Sequence, residues 1–285
     1  MKQKFGLFDV VIYAIMIIIL ILILYPILNV IAISFSSSSY IVRNEVTIFP
    51  KGFTLEAYKE ILSSAKIPRA YLNTILYTGL GTFVNVFMTV LTAYPLSRPH
   101  LTGRKLYMGL ILFTVFFSGG IIPTYLVVDA LKLRNTIWAM VIPNAIWTME
   151  LLIMISFFRS IPAALHESAI IDGASEYQIL FRIFLPLSKA SLASIGLFYF
   201  MGHWNSYFLP LIYLDKQKMY PLQLILKDML LDESSTISNV ASASLLTPAA
   251  LKNAVIFITM VPVMIIYPMV QKYFVKGVML GSVKG

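Results

Sequence analysis

The chain has 285 residues, of which 59% are hydrophobic and 12% are charged, with a formal net charge of +9 and no cysteine. A soluble domain carries about 25% charged residues, so this composition favours a polytopic membrane protein over a soluble protein with a buried helical core. The lack of cysteine excludes disulfides and thiolate metal sites, and the positive charge fits anionic lipid headgroups rather than nucleic acid.

Six apolar segments are each long enough to cross a bilayer as a helix, which takes about 20 residues. They are Val10–Ser34, Ala70–Ser97, Leu106–Val128, Asn135–Phe158, Ala190–Leu214 and Asn253–Gln271. The predicted fold is therefore an all-α polytopic membrane protein, with six transmembrane helices in one domain over residues 1–285. Gly79 and Gly81 in the second segment predict the close approach of another helix.

The first segment follows Lys2 and Lys4, an arrangement that resembles a secretory signal. However, the uncharged stretch from Val10 to Val42 is much longer than the apolar core of a signal, about 7–15 residues. We therefore interpret it as a retained span. With a cytoplasmic amino terminus, Lys and Arg divide equally between the two sides of the membrane, and the short basic loop at 98–105 favours this orientation only mildly.

Glu150 is the one formally charged side chain inside a predicted span. A carboxylate there costs about 2.5–3.5 kcal/mol on insertion scales, so such a residue usually faces a bundle interior or a water-filled cavity. Asn144 and Trp147 precede it close to the same helix face, where an amide could hydrogen-bond to a polar solute and an indole could stack on it. These three are candidates for a substrate pathway. The alternatives are a structural hydrogen bond or burial as the protonated acid for Glu150, and ordinary helix packing for Asn144 and Trp147.

The most ordered polar interruption is residues 159–189, which we call the polar loop. A helix at about Ala163–Ile171 is expected to end at Gly173, where a left-handed conformation costs glycine little. A second helix, Ser175–Phe184, begins with Ser175 and Gln178 in the spacing of a capping box. The pair Leu185-Pro186 is expected to end it, because proline cannot continue a helix from within.

The second helix of the polar loop has four apolar residues at i, i+3, i+4 and i+7, so they are expected on one face: Tyr177, Leu180, Phe181 and Phe184. Burying each such side chain is worth roughly 1.5–3 kcal/mol, so we expect this face to pack against another surface. The residues alone allow three such surfaces, which are the bilayer, the ends of the protein's own helices and a partner protein.

The fifth segment contains a second polar and aromatic cluster, formed by His203, Trp204, Asn205 and Tyr207. Trp204 and Asn205 are further candidates for the substrate pathway, with helix–helix hydrogen bonding as the alternative. The three histidines are far apart in sequence, so no metal site is expected. Three aspartates, Asp129, Asp215 and Asp228, are interpreted as solvated loop residues.

With a cytoplasmic amino terminus, the loops Phe35–Pro68 and Asp215–Thr247 are expected outside the cell, where they could contact a partner protein. Both are rich in polar or β-branched residues.

The polar loop resembles the cytoplasmic EAA loop of ABC importer permeases, through Glu167-Ser-Ala-x-x-Asp172-Gly173-Ala174 followed by Ile183-x-Leu185-Pro186. Ser168 departs from the usual alanine, a small-for-small change. Ser118–Tyr125, Asn135-Thr-x-Trp138, Trp204–Leu211 and the ending Phe274–Gly285 also resemble carbohydrate permeases of the maltose-transporter type. The likeness is greatest to permeases for polysaccharide fragments in Gram-positive bacteria.

This resemblance implies a type I ABC importer transmembrane domain in a bacterial cell membrane, with the polar loop and both termini in the cytoplasm. It implies that the loop docks on an ATP-binding subunit through Glu167, Ala169, Asp172, Gly173, Ala174, Tyr177, Phe181, Leu185 and Pro186. It also implies that Lys276, Gly277, Gly281 and Lys284 in the carboxyl tail reach the ATPase.

The implied partners are an ATP-binding subunit dimer, a second permease subunit and an extracellular solute-binding lipoprotein, with no nucleic acid. The chain contains no G-x4-G-K-[ST] phosphate loop, so we expect no enzyme activity and no cofactor of its own; ATP would be bound by the partner. An ion-coupled secondary transporter is the alternative function, although it would need several intramembrane charges. A membrane-embedded transferase would need clustered His, Asp or Glu. The sequence leaves the transported sugar open.

Overall fold

The computed structural model describes residues 6–231 and 246–282, with side chains described for 6–230 and 246–271. Within these ranges the chain is helical, and its one β feature is an isolated antiparallel bridge between Ser36 and Phe53. The helices in chain order are α1 (Leu7–Ser34), α2 (Ser38–Val42), α3 (Glu56–Ser63), α4 (Lys66–Ser97), α5 (Arg104–Phe116), α6 (Ile121–Ala130), α7 (Trp138–Val141), α8 (Thr148–Ser160), α9 (Ala163–Ile171), α10 (Glu176–Leu187), α11 (Lys189–Trp204), α12 (Phe208–Tyr213), α13 (Leu222–Leu231) and α14 (Pro248–Ser282).

In the described part of the chain, three helices are long and apolar enough to cross a membrane unbroken: α1, α4 and the Pro248–Gln271 portion of α14. Three more candidates are bent helix pairs: α5 with α6 at 117°, α8 with α9 at 69°, and α10 with α11 at 83°. Together these six candidates agree with the predicted number of spans, although the third, fourth and fifth predicted segments are not single straight helices.

Each of those three segments contains residues that interrupt a helix. In the third, the chain turns at Phe117–Gly120, where Gly120 has a φ of +83°. In the fourth, α7 gives way to a non-helical stretch at 142–147 that includes Pro143, which has no backbone N–H to donate. In the fifth, α11 ends at Trp204 and α12 begins only at Phe208.

The first compact unit comprises Met1–Pro68 and Ile225–Pro262. In it, α1 is apolar on every side and exposes nearly all its side chains from Leu7 to Tyr25, as a helix covered by lipid would. Beyond α1, the ring of Phe35 stacks on Phe53 and Tyr58 and meets Phe257 edge-on. These ring contacts pack the 35–68 loop against the helix of Phe257, α14.

The second unit comprises Arg69–Leu224 and Val263–Gly285. One buried cluster joins α4, α8, α10 and α11, and includes Tyr94, Met154, Phe158, Phe184 and Tyr199. Because α10 contributes to this cluster, the polar loop is packed into the same core as the membrane helices. A second cluster gathers side chains from α4, α6, α7 and α12.

The aspartates at 129 and 215, expected to be simply solvated, are joined through Arg134. Its guanidinium lies 3.2 Å from Asp129 Oδ1 and 2.9 Å from Asp215 Oδ2, over the ring of Tyr125. The hydrogen bond to Asp129 is the main cause that raises the Arg134 pKa. The two carboxylates remain about half exposed. The ion pairs therefore link the end of α6 to the segment after α12 but contribute little to stability.

Candidate functional site

The turn between α9 and α10 has the geometry expected from its sequence. Gly173 has a φ of +80°, and its N–H donates to the Ile170 carbonyl at 2.9 Å. The next N–H, from Ala174, reaches back to the Ala169 carbonyl at 2.9 Å. This pair of bonds is a Schellman motif, in which a left-handed residue lets the chain leave the helix sharply.

The start of α10 is a capping box. The Gln178 N–H donates to Ser175 Oγ at 3.4 Å, and Gln178 Oε1 accepts from the Ser175 N–H at 2.8 Å. Both backbone donors at the helix start are thus satisfied by side chains three residues apart. The polar loop is two short, separately terminated helices rather than a solvated connection.

The four apolar residues of α10 are not buried together, contrary to the expectation from their spacing. Leu180 and Phe184 are buried in the core, whereas Tyr177 is 74% exposed and Phe181 is 48% exposed. Leu180–Phe184 has π-helical bonding, in which the Leu185 N–H donates to the Leu180 carbonyl five residues earlier. A π turn holds more residues than an α turn, so it separates side chains that an ideal α-helix would align.

The expected end of α10 at Leu185-Pro186 also needs correction. The helix continues to Leu187, and the chain then bends by 83° into α11. The widened turn before Pro186 has already left regular α-helical bonding, so the missing N–H of proline interrupts little there.

The nine predicted docking residues separate into two groups by burial. Ala169 is buried in the core, and Ala174 and Leu185 are half-buried against it, so these three shape and anchor the loop. The other six are exposed: Glu167, Asp172, Gly173, Tyr177, Phe181 and Pro186.

Two exposed apolar residues next to the turn were not among the candidates. Ile170 is 50% exposed and Ile171 is 85% exposed. With Tyr177 and Phe181 they place large apolar side chains at the surface of a polar segment, and such patches mark interaction sites. The helical spacing of α9 could have indicated Ile171, because it lies one turn beyond the predicted docking residue Glu167.

A groove with a volume of about 890 Å³ runs beside the polar loop, between α9, α10 and the end of α4. Its lining includes the predicted residues Glu167 and Tyr177, and four polar residues that were not predicted from the sequence: Tyr94, Arg98, His166 and Glu176. Glu176 Oε2 accepts a hydrogen bond from the Tyr94 hydroxyl at 2.5 Å, and His166 Nε2 lies 3.2 Å from both carboxylate oxygens.

Two charged groups of this groove have shifted pKa values. Burial by itself would raise the pKa of Glu176, but the hydrogen bonds from Tyr94 and His166 outweigh it and lower the pKa below its usual value of 4.5. Burial lowers the pKa of Arg98, which stays charged. No sequence signal singled out these residues, because Tyr94 and Glu176 are 82 positions apart.

The lowered Glu176 pKa predicts an acid-dependent loss of stability. A carboxyl group with a lower pKa in the folded than in the unfolded state stabilises the fold above its unfolded pKa and loses that contribution as pH falls through the folded pKa. We expect the difference in melting temperature between wild type and Glu176→Gln to be constant near neutral pH and to shrink below pH 4.5. A difference that grows on acidification would contradict this.

The intramembrane candidates Asn144 and Trp147 lie in the break between α7 and α8. Asn85 of α4 donates to the Asn144 carbonyl and also lies 2.6 Å from His203 Nε2, so it satisfies a backbone acceptor that the break leaves free. The Trp147 ring packs on Tyr199 at 4.9 Å and near His203 at 6.2 Å. The break is therefore held by a polar network between α4 and α11.

The other pathway candidates have unlike surroundings. Glu150 is half-buried in the first turn of α8, directly after the break. Trp204 is buried, with its ring stacked on Phe200 and edge-on to Tyr71, a packing role. Asn205 is exposed and donates to the Met201 carbonyl at 2.9 Å. The structure brings Trp147 and the helix of Trp204 together but does not join all five candidates into one site.

Gly79 and Gly81, both predicted to permit the close approach of another helix, differ in their surroundings. A Cβ on Gly81 would lie 2.6 Å from the His203 ring, whereas one on Gly79 would meet nothing within 4 Å. The prediction is confirmed for Gly81, whereas no other helix of the described chain approaches Gly79.

The predicted tail residues Lys276, Gly277 and Gly281 lie on the last turns of α14. Lys284 lies outside the described residues, as does most of the second half of the 215–247 loop. The described half of that loop contains α13.

No family model matches the sequence. The chain is 40% identical, over 99% of its length and 100% of the relative's, to the polygalacturonan/rhamnogalacturonan transport system permease protein YtcP of Bacillus subtilis. It matches a chain of a bacterial ABC transporter involved in the import of the acidic polysaccharide alginate, with a TM-score of 0.91, 30% identity, and coverage of 96% of this chain and 100% of that one.

A second solved structure shares the fold alone. It is a bacterial alginate ABC transporter in complex with an alginate pentasaccharide-bound periplasmic protein, with a TM-score of 0.63, 19% identity, and coverage of 92% of this chain and 93% of that chain. The predicted all-α transmembrane domain of an ABC importer is confirmed. The chain belongs to the carbohydrate ABC transporter permeases and is a membrane-embedded permease subunit of an ABC importer.

Proposed function

We propose that this permease couples ATP hydrolysis by a separate pair of ATP-binding subunits to the import of acidic oligosaccharides. The observation that carries the coupling is the exposed apolar patch of Ile171, Tyr177 and Phe181 on a loop whose other side is packed into the core of the membrane helices. A patch of this kind on a rigid support suits a partner that moves the loop as a body.

The proposed substrate class rests on the relatives. YtcP is named for the transport of polygalacturonan and rhamnogalacturonan, and the matched structure is of an alginate importer. All three polysaccharides are acidic. Uronate-containing fragments are therefore the substrates to test first. The solved complex with a loaded periplasmic protein supports a solute-binding protein as a partner, alongside a second permease subunit.

The functional test is uptake by liposomes that contain the whole complex. We expect oligogalacturonate to enter when ATP and the binding protein are present, and the permease without its ATP-binding subunits to hydrolyse no ATP. The secondary transporter is not favoured by the relatives. Uptake that follows an imposed proton or sodium gradient without ATP would overturn the proposal.

The orientation of the chain can be tested by labelling, because the natural sequence has no cysteine to interfere. We propose that the polar loop and both termini face the cytoplasm. In cells that express the permease without its ATP-binding subunits, Tyr177→Cys should then react with a membrane-impermeant maleimide only after the cells are opened. Phe49→Cys, at an exposed site of the 35–68 loop, is the matched control and should react in intact cells. Labelling of Tyr177→Cys in intact cells would reverse the topology.

A further inference from the structure

Glu176 contacts two elements besides its own helix. It stands in the first turn of α10, and its carboxylate accepts from the Tyr94 hydroxyl of α4 at 2.5 Å. The same carboxylate lies 3.2 Å from His166 Nε2 of α9. One side chain therefore ties both short helices of the polar loop to the end of a membrane-spanning helix.

The α4 end of this contact is rigidly held. Tyr94 is 7% exposed, and its ring meets Phe158 of α8 and Phe184 of α10 edge-on at 6.1 and 5.3 Å. The Arg98 guanidinium lies over the rings of Phe184 and Tyr94, at 4.2 and 4.9 Å from their centroids. A phenol fixed in this way cannot follow Glu176 unless α4 moves with it.

The two contacts of the Glu176 carboxylate differ in strength. Glu176 is 58% exposed, so its attraction to His166 is screened by water and weak. The bond from Tyr94 differs, because a hydrogen bond from a buried hydroxyl to an ionised carboxylate is short and strong. The first turn of a helix also favours a negative charge, which holds Glu176 in its charged form.

We propose that Glu176 is a positioning residue that transmits displacement of the polar loop to α4 through Tyr94. This rests on the proposed coupling function: the ATP-binding subunit moves the loop, and the Glu176–Tyr94 bond makes α4 follow. Phe184 also packs on Tyr94, so without the bond the link between α10 and α4 would loosen and part of the loop's displacement would not reach α4. ATP would then be hydrolysed with fewer sugars imported.

The test measures sugar imported per ATP hydrolysed in liposomes that contain the whole complex. Glu176→Gln keeps the size and an acceptor oxygen but removes the charge, and Tyr94→Phe removes the donor alone. We expect each to lower the ratio about five-fold, the lower end of usual coupling effects, and the double variant to do no worse than either single one. Asp129→Asn, at an exposed carboxylate of α6 that also accepts a hydrogen bond, is the matched control.

The ratio separates coupling from folding, because a variant that only folds poorly yields fewer complexes without changing sugars per ATP in those that remain. An unchanged ratio in both single variants, or strictly multiplicative losses in the double variant, would overturn the role of Glu176. Failure of the wild-type complex to import sugar with ATP would instead overturn the proposed function.

Discussion

Replacing Gly202 by alanine should strongly destabilise the protein, although it adds only one methyl group. A Cβ at this position would lie 2.0 Å from the Trp147 ring, and the ring is itself held against Tyr199 and His203. Overpacking typically costs 1–3 kcal/mol, and we expect about 3 kcal/mol because a rigid indole cannot bend away. The measurement is the temperature at which the solubilised protein loses its monodisperse peak in size-exclusion chromatography.

Two variants make this prediction specific. Gly79→Ala lies in a helix where an added Cβ meets nothing, so it should leave the melting temperature unchanged or raise it, because alanine is the better helix former. Trp147→Phe removes the part of the indole that the new methyl group meets, and should restore part of the stability lost in Gly202→Ala. A Gly202→Ala protein as stable as Gly79→Ala would show that the contact between α11 and Trp147 is loose enough to accept a methyl group.

Removing both exposed rings of α10, by Tyr177→Ala with Phe181→Ala, should abolish ATP-driven uptake without unfolding the permease. Interface anchors of this kind contribute about 2 kcal/mol or more each, and each 1.4 kcal/mol is tenfold in affinity. We therefore expect the affinity of the permease for the ATP-binding subunits to fall at least a hundredfold. Co-purification of the subunits at defined concentrations measures this directly.

The controls for the double variant are a buried ring of α10 and an exposed ring outside the polar loop. Phe184→Ala removes a fully buried ring and should cost about 3–5 kcal/mol of stability, so it loses uptake through folding. Phe83→Ala removes an exposed ring of α4 and should change neither stability nor subunit affinity. Normal co-purification of the Tyr177→Ala, Phe181→Ala permease would place the docking surface elsewhere.

The turn and the cap of the polar loop were both predictable from sequence. Gly173 occupies the left-handed position that ends α9, and Ser175 with Gln178 forms the capping box. Each depends on contacts between residues no more than five positions apart, so local chemistry is sufficient to determine them. The membrane class was equally accessible, because long apolar runs have few other uses.

The burial of the α10 rings was not predictable in the same way. An ideal α-helix would place Tyr177 and Phe184 on one side, but the π turn at Leu180–Phe184 separates them. Phe184, at the end of that turn, packs against Tyr94 and Phe158, which come from two other helices. Tertiary packing overrides the ideal spacing.

By itself, the sequence determined that this chain is a polytopic membrane protein with a capped pair of helices between its apolar segments, because hydropathy and short-range hydrogen bonding require no knowledge of distant neighbours. Only the tertiary structure decided where three spans break, which rings of α10 face outward, and that Tyr94 meets Glu176 and Asn85 meets His203. Those pairs are separated by 82 and 118 positions, and a polar side chain in an apolar run is compatible with many partners until packing selects one.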